Sequence, residues 1–273
     1  MTHLAIIAGR GVLPLQVAKA AAGLGYEVFI FAIEGQADAA FDGFTVQPVR
    51  LGAIGQIQRQ LNKCGCSELV MVGKVAWPSL SALRPDAAAI KLLSKLARRG
   101  DDSVLRVITQ YFAEHGITTL PVSQFLTDRA MPLGHVAGPT LDAAGQTMIE
   151  IGVDLLDRLG NSDVGQAVVV QNGRILAIEA AEGTSAMLAR SAGLIDSHAG
   201  VAVFVKMQKL GQDQRLDTPF IGGDTLHAAA AAGIHVLAIE AGAVMLADDL
   251  PLISDLCEKH RLTFVGISAT SQK

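Results

Sequence analysis

The first twenty-odd residues restrict the fold of this chain more than any other stretch. A continuously apolar run, His3–Ala8, stops at a Gly9-Arg-Gly11 turn and is followed by a helical pattern over residues 15–24. Strand, glycine turn and helix in this order open a nucleotide-binding βα unit. Gly9 and Gly11 would let the backbone approach a phosphate at the helix start. Pro14 stands where the dinucleotide fingerprint has its third glycine, so an ordinary tight turn explains the loop equally well.

The same alternation of helix and buried strand recurs further along. A helical pattern over residues 54–62 precedes the apolar run Leu69–Gly73, and Lys74 follows it, where a lysine could meet a phosphate as a point charge or lie solvated. A helix is predicted from Gly100 to Glu114, and Asp101 and Asp102 at its start suit a cap or a metal contact. We therefore predict an α/β fold with a Rossmann-like N-terminal domain, residues 1–130, built on a parallel sheet.

The second half follows a different pattern. Proline and glycine between residues 127 and 139 predict a loop, and we place a linker at residues 131–140. In the C-terminal domain, residues 141–273, Asn172-Gly173 separates two β-rich runs, which is the signature of a type I′ hairpin. The C-terminal domain is therefore predicted to be mixed α/β with antiparallel strands.

Composition excludes several classes of function. The chain has 273 residues and a formal net charge of −4, which argues against a nucleic-acid binder. Its three cysteines indicate a reducing cytoplasm, and no apolar run approaches the ~20 residues that span a bilayer. No HExxH or GxSxG motif is present, so neither zinc-protease nor serine-hydrolase chemistry is indicated.

Charged residues concentrate between positions 206 and 233, where Pro219 and Gly222-Gly223 predict a tight turn before an alanine-rich helix. Asp224 or Thr225 is expected to cap that helix, and Thr184 or Ser185 the helix after the hairpin. A cation-rich segment beside acids and a helix start suits metal-assisted phosphoryl hydrolysis; a surface charge cluster is the plainer interpretation. The charged residues of this segment are Lys206, Lys209, Asp213, Arg215, Asp217 and Asp224.

These segments together resemble a known family. The blocks that carry the resemblance are IAGRGVLP (7–14), GKV with a following Leu-x-Pro-Asp (73–86), GDD (100–102), DxGQ (163–166), EGT (182–184) and K…QDxRxDxPxIGxDT (209–225). In this order they resemble, nearly end to end, the UDP-2,3-diacylglucosamine pyrophosphatases of lipid A biosynthesis that are unrelated to calcineurin-like phosphoesterases.

The resemblance implies a cytoplasmic, Mg²⁺-dependent hydrolase that cleaves UDP-2,3-diacylglucosamine into UMP and lipid X between a Rossmann-like domain and a C-terminal domain. The family's key acid falls on Asp224, and we expect Asp224 and Asp213 to contact the metal, with Asp217 as a further catalytic acid. Contact with the inner membrane and a homodimer are left open. The expected substrate-binding residues are Gly9, Gly11, Lys74, Asp101, Asp102, Gln166, Glu182, Thr184, Lys206, Lys209, Gln212, Arg215 and Thr225.

The chain departs from the family pattern at Ser185, Leu210 and Thr218, where aspartate, proline and leucine are usual. Ser185 removes a carboxylate that could bind metal or cap a helix, so we assign position 185 no catalytic role. Two other functions are left open. A nucleotide-binding oxidoreductase would use Glu34, at the end of a strand, on a ribose. A non-catalytic sensor would bind a nucleotide sugar or lipid without turnover.

Overall fold

The computed structural model describes residues 2–76, 83–96, 101–160, 164–209, 215 and 218–268, without the side chains of residues 93–96 and 101–103. The described residues divide into two compact units: those up to Thr127, together with Arg215, form the first, and the others from Asp128 onward form the second. Each unit has its own sheet and its own hydrophobic core. The α/β architecture predicted for both halves is confirmed.

The first unit contains a five-stranded parallel sheet with strand order β3-β2-β1-β4-β5. This order matches the first five strands of a Rossmann fold, in which the direction of winding reverses between β1 and β4. Short 3₁₀ turns follow at Val122–Gln124 and Thr127–Arg129. The strands are β1 His3–Ala8, β2 Glu27–Ile33, β3 Thr45–Val49, β4 Glu68–Val72 and β5 Thr118–Thr119.

Helices cover both faces of this sheet. They are α1 Leu13–Gly23, α2 Ile54–Lys63, α3 Ala87–Leu96 and α4 Asp101–Glu114. The Asp86 carboxylate caps two of these helices. It accepts hydrogen bonds from Ala89 N of α3 (2.9 Å) and from Gln56 N of α2 (3.1 Å). Because the first amides of a helix lack intrahelical partners, Asp86 satisfies a donor in each helix.

The second unit contains a six-stranded mixed sheet with order β6-β13-β11-β9-β7-β8, and a two-stranded parallel sheet of β10 and β12. Strands β9, β11 and β13 are parallel, whereas β6 and β7 run antiparallel to their neighbours. The strands are β6 Gly134–Ala137, β7 Ala167–Gln171, β8 Arg174–Ile178, β9 Ala202–Lys206, β10 Phe220–Ile221, β11 Val236–Glu240, β12 Met245–Leu246 and β13 Thr263–Ile267.

The predicted hairpin is confirmed. Strands β7 and β8 are antiparallel, and Asn172 and Gly173 between them both have positive φ, 49° and 71°. Both central residues of a type I′ turn need positive φ, which asparagine and glycine adopt at low cost.

Four helices pack on this sheet: α5 Ala143–Leu159, α6 Thr184–Ser191, α7 Gly223–Ala232 and α8 Leu250–His260. Helix α5 covers one face, and α6, α7 and α8 cover the other. Each of the latter three lies between strands that point the same way. Helix α6 follows β8, whereas α7 follows the short β10 and α8 follows the short β12. We call the side where β8, β9 and β11 end the carboxyl edge of the second sheet.

Three local predictions were wrong. The predicted loop at residues 127–139 contains β6, an edge strand that pairs with β13 although Gly134 has φ +90°. Helix α7 has Gly222 as its N-cap residue and no side-chain cap from Asp224 or Thr225. Helix α6 has Gly183 as its N-cap residue, without a cap from Thr184 or Ser185. In the part of the chain that is described, no helix is long and apolar enough to cross a membrane.

Candidate functional site

The loops after β1 and β4 meet at the point where the winding of the first sheet reverses. Gly9 N donates to Val72 O (2.9 Å), and Arg10 and Lys74 exchange backbone hydrogen bonds of 2.8 and 3.1 Å. This brings together Gly9, Gly11 and Lys74, three residues predicted to contact the substrate. In doubly wound sheets, ligands bind at such a reversal.

The glycine turn is already occupied by a carboxylate. Asp38 accepts a hydrogen bond of 2.8 Å from Gly11 N, just before α1 begins. The three successive amides of Gly9, Arg10 and Gly11 therefore all have acceptors within the protein. A phosphate that bound Gly11 N would have to displace the Asp38 side chain, a residue that sequence reasoning did not single out.

Glycine is required at position 9 by packing. A Cβ there would lie 2.7 Å from Lys74 O, and a Cβ on Gly73 would lie 2.7 Å from Gly9 C. Gly11, by contrast, has φ +94° and open space around it. The first glycine is thus explained by contact between two loops, and the second by a backbone conformation that favours glycine.

A buried polar network lies at the carboxyl edge of the second sheet. Lys206, the last residue of β9, donates from Nζ to Thr184 Oγ1 (3.0 Å), and Thr184 donates to Glu179 Oε1 (2.8 Å). The other carboxylate oxygen of Glu179, Oε2, accepts from Gln166 N (3.1 Å). Lys206 and Glu179 are each only 8% exposed. The fold therefore joins three predicted substrate-binding residues through Glu179, which sequence reasoning passed over.

The start of α7 is held by a residue distant in sequence. Asp248 Oδ2 accepts a hydrogen bond of 2.7 Å from Gly223 N, the first residue of the helix. A Cβ on Gly222 would lie 2.7 Å from the same oxygen and 2.9 Å from Ala247 Cβ, so a side chain here would push Asp248 away from Gly223 N. Asp248 thus performs the capping role that we predicted for Asp224 or Thr225.

Asp224 itself lies exposed in the first turn of α7. Within the described residues, no hydrogen bond or ion pair involves its carboxylate. Thr225 follows it in the same turn and is partly buried. The helix N-terminus favours the negative charge of Asp224 and would also favour an anion beside it.

Glu182 forms an exposed ion pair. Its Oε1 lies 2.9 Å from Nη2 of Arg190 on α6, and this hydrogen bond lowers the pKa of Glu182. Sequence reasoning chose Glu182 at this strand exit, but Glu179, three residues earlier, is the carboxylate that is buried among the other site residues. The useful signal was the position of Glu179 directly after β8, which pairs with the fully buried strand β7.

A narrow cleft opens beside this network, where α5 ends. Gln208, which lines the cleft, donates from its backbone N to Glu240 Oε2 (2.7 Å), and burial raises the pKa of Glu240. Glu240 ends β11, next to Lys206 on β9. The residues that line the cleft are Leu156, Leu159, Gly160, Gly165, Gln166, Met207, Gln208 and Lys209.

Several predicted residues lie outside the described part of the chain. These are Gln212, Asp213, Asp217 and the departure at Leu210, together with the side chains of Asp101 and Asp102. Arg215 is described and exposed, and Thr218 and Lys209 are partly buried. Among the described residues, no group of three or more His, Cys, Asp and Glu side chains could hold a metal ion.

Comparison with known proteins decides the family. The model of the LpxI N-terminal domain matches residues 3–129, and that of the LpxI C-terminal domain matches residues 132–265. The protein named UDP-2,3-diacylglucosamine pyrophosphatase LpxI from Caulobacter vibrioides is 34% identical over 256 residues, which cover 91% of each chain. The chain belongs to the LpxI family. The family resemblance inferred from the sequence motifs is confirmed.

Solved structures add little to the LpxI assignment. The precorrin-6A reductase CobK is 12% identical with a TM-score of 0.31, and the alignment covers 100% of this chain and 90% of that one. The UDP-glucose 4-epimerase of Brucella ovis, solved with NAD, is 12% identical with a TM-score of 0.30, at 100% and 88% coverage. These scores are too low to support a shared fold or function.

Proposed function

We propose that this LpxI-family protein hydrolyses the pyrophosphate bond of UDP-2,3-diacylglucosamine and releases UMP and 2,3-diacylglucosamine 1-phosphate, lipid X. The observation that carries the proposal is the 34% identity to the Caulobacter pyrophosphatase across 91% of both chains. The two family models match residues 3–129 and 132–265, which include strands of both sheets. The match favours hydrolysis over the oxidoreductase and sensor functions.

The residues at the carboxyl edge of the second sheet suit a pyrophosphate substrate. A pyrophosphate diester resists hydrolysis because its anionic oxygens repel the attacking water. The Lys206 ammonium offsets negative charge. In this proposal Lys206, Lys209 and Arg215 contact phosphate oxygens, and an arginine can make two parallel hydrogen bonds to them. Gln166, Thr184 and Thr225 add neutral hydrogen-bonding groups.

In this proposal Asp224 is the described residue that would bind Mg²⁺. Mg²⁺ prefers oxygen ligands and is often held by one or two carboxylates together with substrate phosphates. The Asp224 carboxylate is exposed and accepts no hydrogen bond from a described residue, so its oxygens are open to a cation. Asp213, outside the described residues, is the second proposed ligand. When bound, Mg²⁺ would neutralise phosphate charge and lower the pKa of a bound water.

Asp224 is proposed as the central catalytic residue. Its carboxylate would hold the metal or orient the attacking water, with Asp217 as a further acid. Gly11 and Lys74 stay predicted substrate-binding residues, and a ligand at Gly11 N would have to displace the Asp38 side chain. We place the reaction in the cytoplasm. Because the substrate carries acyl chains, we also propose peripheral contact with the inner membrane. A homodimer stays a prediction.

The test is release of UMP from UDP-2,3-diacylglucosamine by the wild type, Asp224→Ala and the control Asp255→Ala, which removes an exposed carboxylate from α8. Each is assayed with Mg²⁺ and with a chelator. We expect metal-dependent release that Asp224→Ala abolishes and Asp255→Ala retains. If Asp224→Ala kept more than about a tenth of kcat, a loss under ~1.4 kcal/mol, Asp224 would have no essential role. Substrate bound but uncut by the wild type would favour the sensor, and tight NAD binding the oxidoreductase.

A further inference from the structure

Glu179 is a buried carboxylate that the proposed reaction leaves without a role. It follows β8 and is 8% exposed, and both of its carboxylate oxygens accept hydrogen bonds from within the protein. Burying a charged carboxylate costs several kcal/mol unless partners compensate. A side chain that only filled space here would not need that charge.

The partners of Glu179 are predicted substrate-binding residues. Oε2 holds the backbone N–H of Gln166, whose carbonyl also accepts from Met207 N (3.0 Å). Oε1 holds the hydroxyl of Thr184, and that hydroxyl accepts from the Lys206 ammonium. The Thr184 proton can point to only one acceptor, so a bond to Glu179 leaves its oxygen lone pairs directed toward the lysine.

The backbone around Glu179 is shaped to keep this side chain in place. Glu179 N donates to Ala167 O (2.8 Å), and Glu179 O accepts from Gly165 N (3.0 Å). A Cβ on Gly165 would lie 2.5 Å from Glu179 Cβ and 2.3 Å from Glu179 O. Glycine at position 165 therefore makes room for Glu179. This explains why the 163–166 block has a glycine next to Gln166.

We infer that Glu179 is a positioning residue, which sets the place of the Lys206 ammonium through Thr184 and of Gln166 through its backbone amide. It touches no substrate itself. This inference rests on the proposed function, because the residues it positions are the proposed phosphate contacts. A charged, fully hydrogen-bonded carboxylate holds its partners more rigidly than a neutral group would.

The first test uses Glu179→Gln. Gln166 N and Thr184 Oγ1 donate to different oxygens of Glu179, and a carboxamide replaces one of these oxygens with an NH₂ group, so one of the two donors loses its acceptor. We expect kcat/KM for UMP release to fall about 10- to 100-fold, the effect of losing a hydrogen bond to a charged group. Glu150→Gln is the matched control, because Glu150 is exposed on α5 and, among the described residues, accepts only from Gln146 Nε2. Unchanged kcat/KM in Glu179→Gln would overturn the inference.

The second test asks whether Glu179 acts through Thr184 and Lys206. Thr184→Val keeps the shape and removes the hydroxyl, and we expect a loss similar to that of Glu179→Gln. Thr184→Ser should recover most of that loss. In a Lys206→Met background, Glu179→Gln should lower kcat/KM by less than it does in the wild type, because the part of its effect that passes through Lys206 is already lost. The part that passes through Gln166 N should remain. Glu179 would have only a structural role if the losses in kcat/KM from Glu179→Gln and Lys206→Met were fully additive. The same would follow if Thr184→Ser lowered kcat/KM as much as Thr184→Val.

A third measurement is independent of the reaction. In the wild type, the Lys206 ammonium held by Thr184 should give a slowly exchanging ¹⁵N-bound proton signal by NMR, assigned by its absence in Lys206→Met. That signal should be lost in Glu179→Gln and Thr184→Val, and its persistence in both would contradict the inference. A wild type that releases no UMP would overturn the proposed function alone, since the NMR result stands by itself.

Discussion

The hydrogen bond between Asp248 and Gly223 makes a quantitative prediction. It is 2.7 Å long, joins a carboxylate to the buried first amide of α7, and is supplied from 25 residues away in sequence. Asp248→Ala removes the acceptor. Losing a capping acceptor costs about 0.5–2 kcal/mol, and losing a negative charge at a helix N-terminus about 0.3–1 kcal/mol. We therefore expect Asp248→Ala to lower the free energy of unfolding by about 2 kcal/mol.

Asp248→Asn separates the two contributions. Asparagine keeps an oxygen that can accept from Gly223 N, so only the charge contribution, about 0.3–1 kcal/mol, should be lost. Urea unfolding followed by far-ultraviolet circular dichroism measures both variants. With a urea dependence of about 2 kcal/mol per molar, typical of small domains, the midpoint should fall by about 1 M in Asp248→Ala and by less than half of that in Asp248→Asn.

Activity adds a second readout, because Asp224 is the residue after Gly223. Asp248→Ala should lower kcat for UMP release as the first turn of α7 loosens. Asp249→Ala is the control: Asp249 caps α8 through Leu252 N (3.3 Å), so its loss should affect stability but not kcat. The reasoning is refuted if Asp248→Ala keeps the wild-type midpoint within about 0.2 M, or if Asp248→Asn is as unstable as Asp248→Ala.

Three further predictions concern other groups. Asp86→Ala removes one capping acceptor from each of two helices and should cost about 1–3 kcal/mol, measured by urea unfolding. Burial raises the pKa of Glu240, so the native state holds this proton to higher pH than the unfolded chain, and stability should fall as pH rises above about 4.3; Glu240→Gln should flatten that fall in unfolding midpoints measured from pH 4 to 7. Burial raises the pKa of Cys66 to about 12 and that of Cys257 to about 11. Iodoacetamide at pH 8 should therefore label both at least on the order of a hundredfold more slowly in the native protein than in urea, as read by mass spectrometry.

Each of these has a contrary outcome. An Asp86→Ala midpoint equal to that of the wild type would mean that water replaces the carboxylate at both helices without loss. An unchanged pH dependence in Glu240→Gln would assign the titration to another group. Native labelling of Cys66 as fast as in urea would show that the thiol is not protected by burial.

Sequence patterns predicted the parts of the fold that depend on neighbouring residues. The hairpin at Asn172-Gly173 follows from two residues that both adopt positive φ, and the parallel strands follow from short apolar runs. Strand β6 was missed because proline and glycine around it are typical of loops, while its pairing with β13 depends on residues about 130 positions later.

The candidate site was predicted by residue type but not by partner. Local rules placed Asp224 and Thr184 as helix caps, since both stand before helices. In the structure, Asp248 caps α7 from a distance, and the Thr184 hydroxyl donates to Glu179. Choosing Glu179 over Glu182 required knowing which side chain is buried, and burial depends on the packing of β8 against β7.

The contact between Gly9 and Gly73 has a consequence for how sequences of this kind evolve. A Cβ on either glycine would collide with the backbone of the other loop. Neither position can therefore acquire a Cβ while the other loop keeps its place. Because the obstacle is main chain on both sides, no compensating substitution at the partner can create the space. The two positions should therefore tolerate substitution only if a whole loop shifts. A glycine at position 9 indicates that the loop after β4 passes close by, even in a relative that binds no phosphate there.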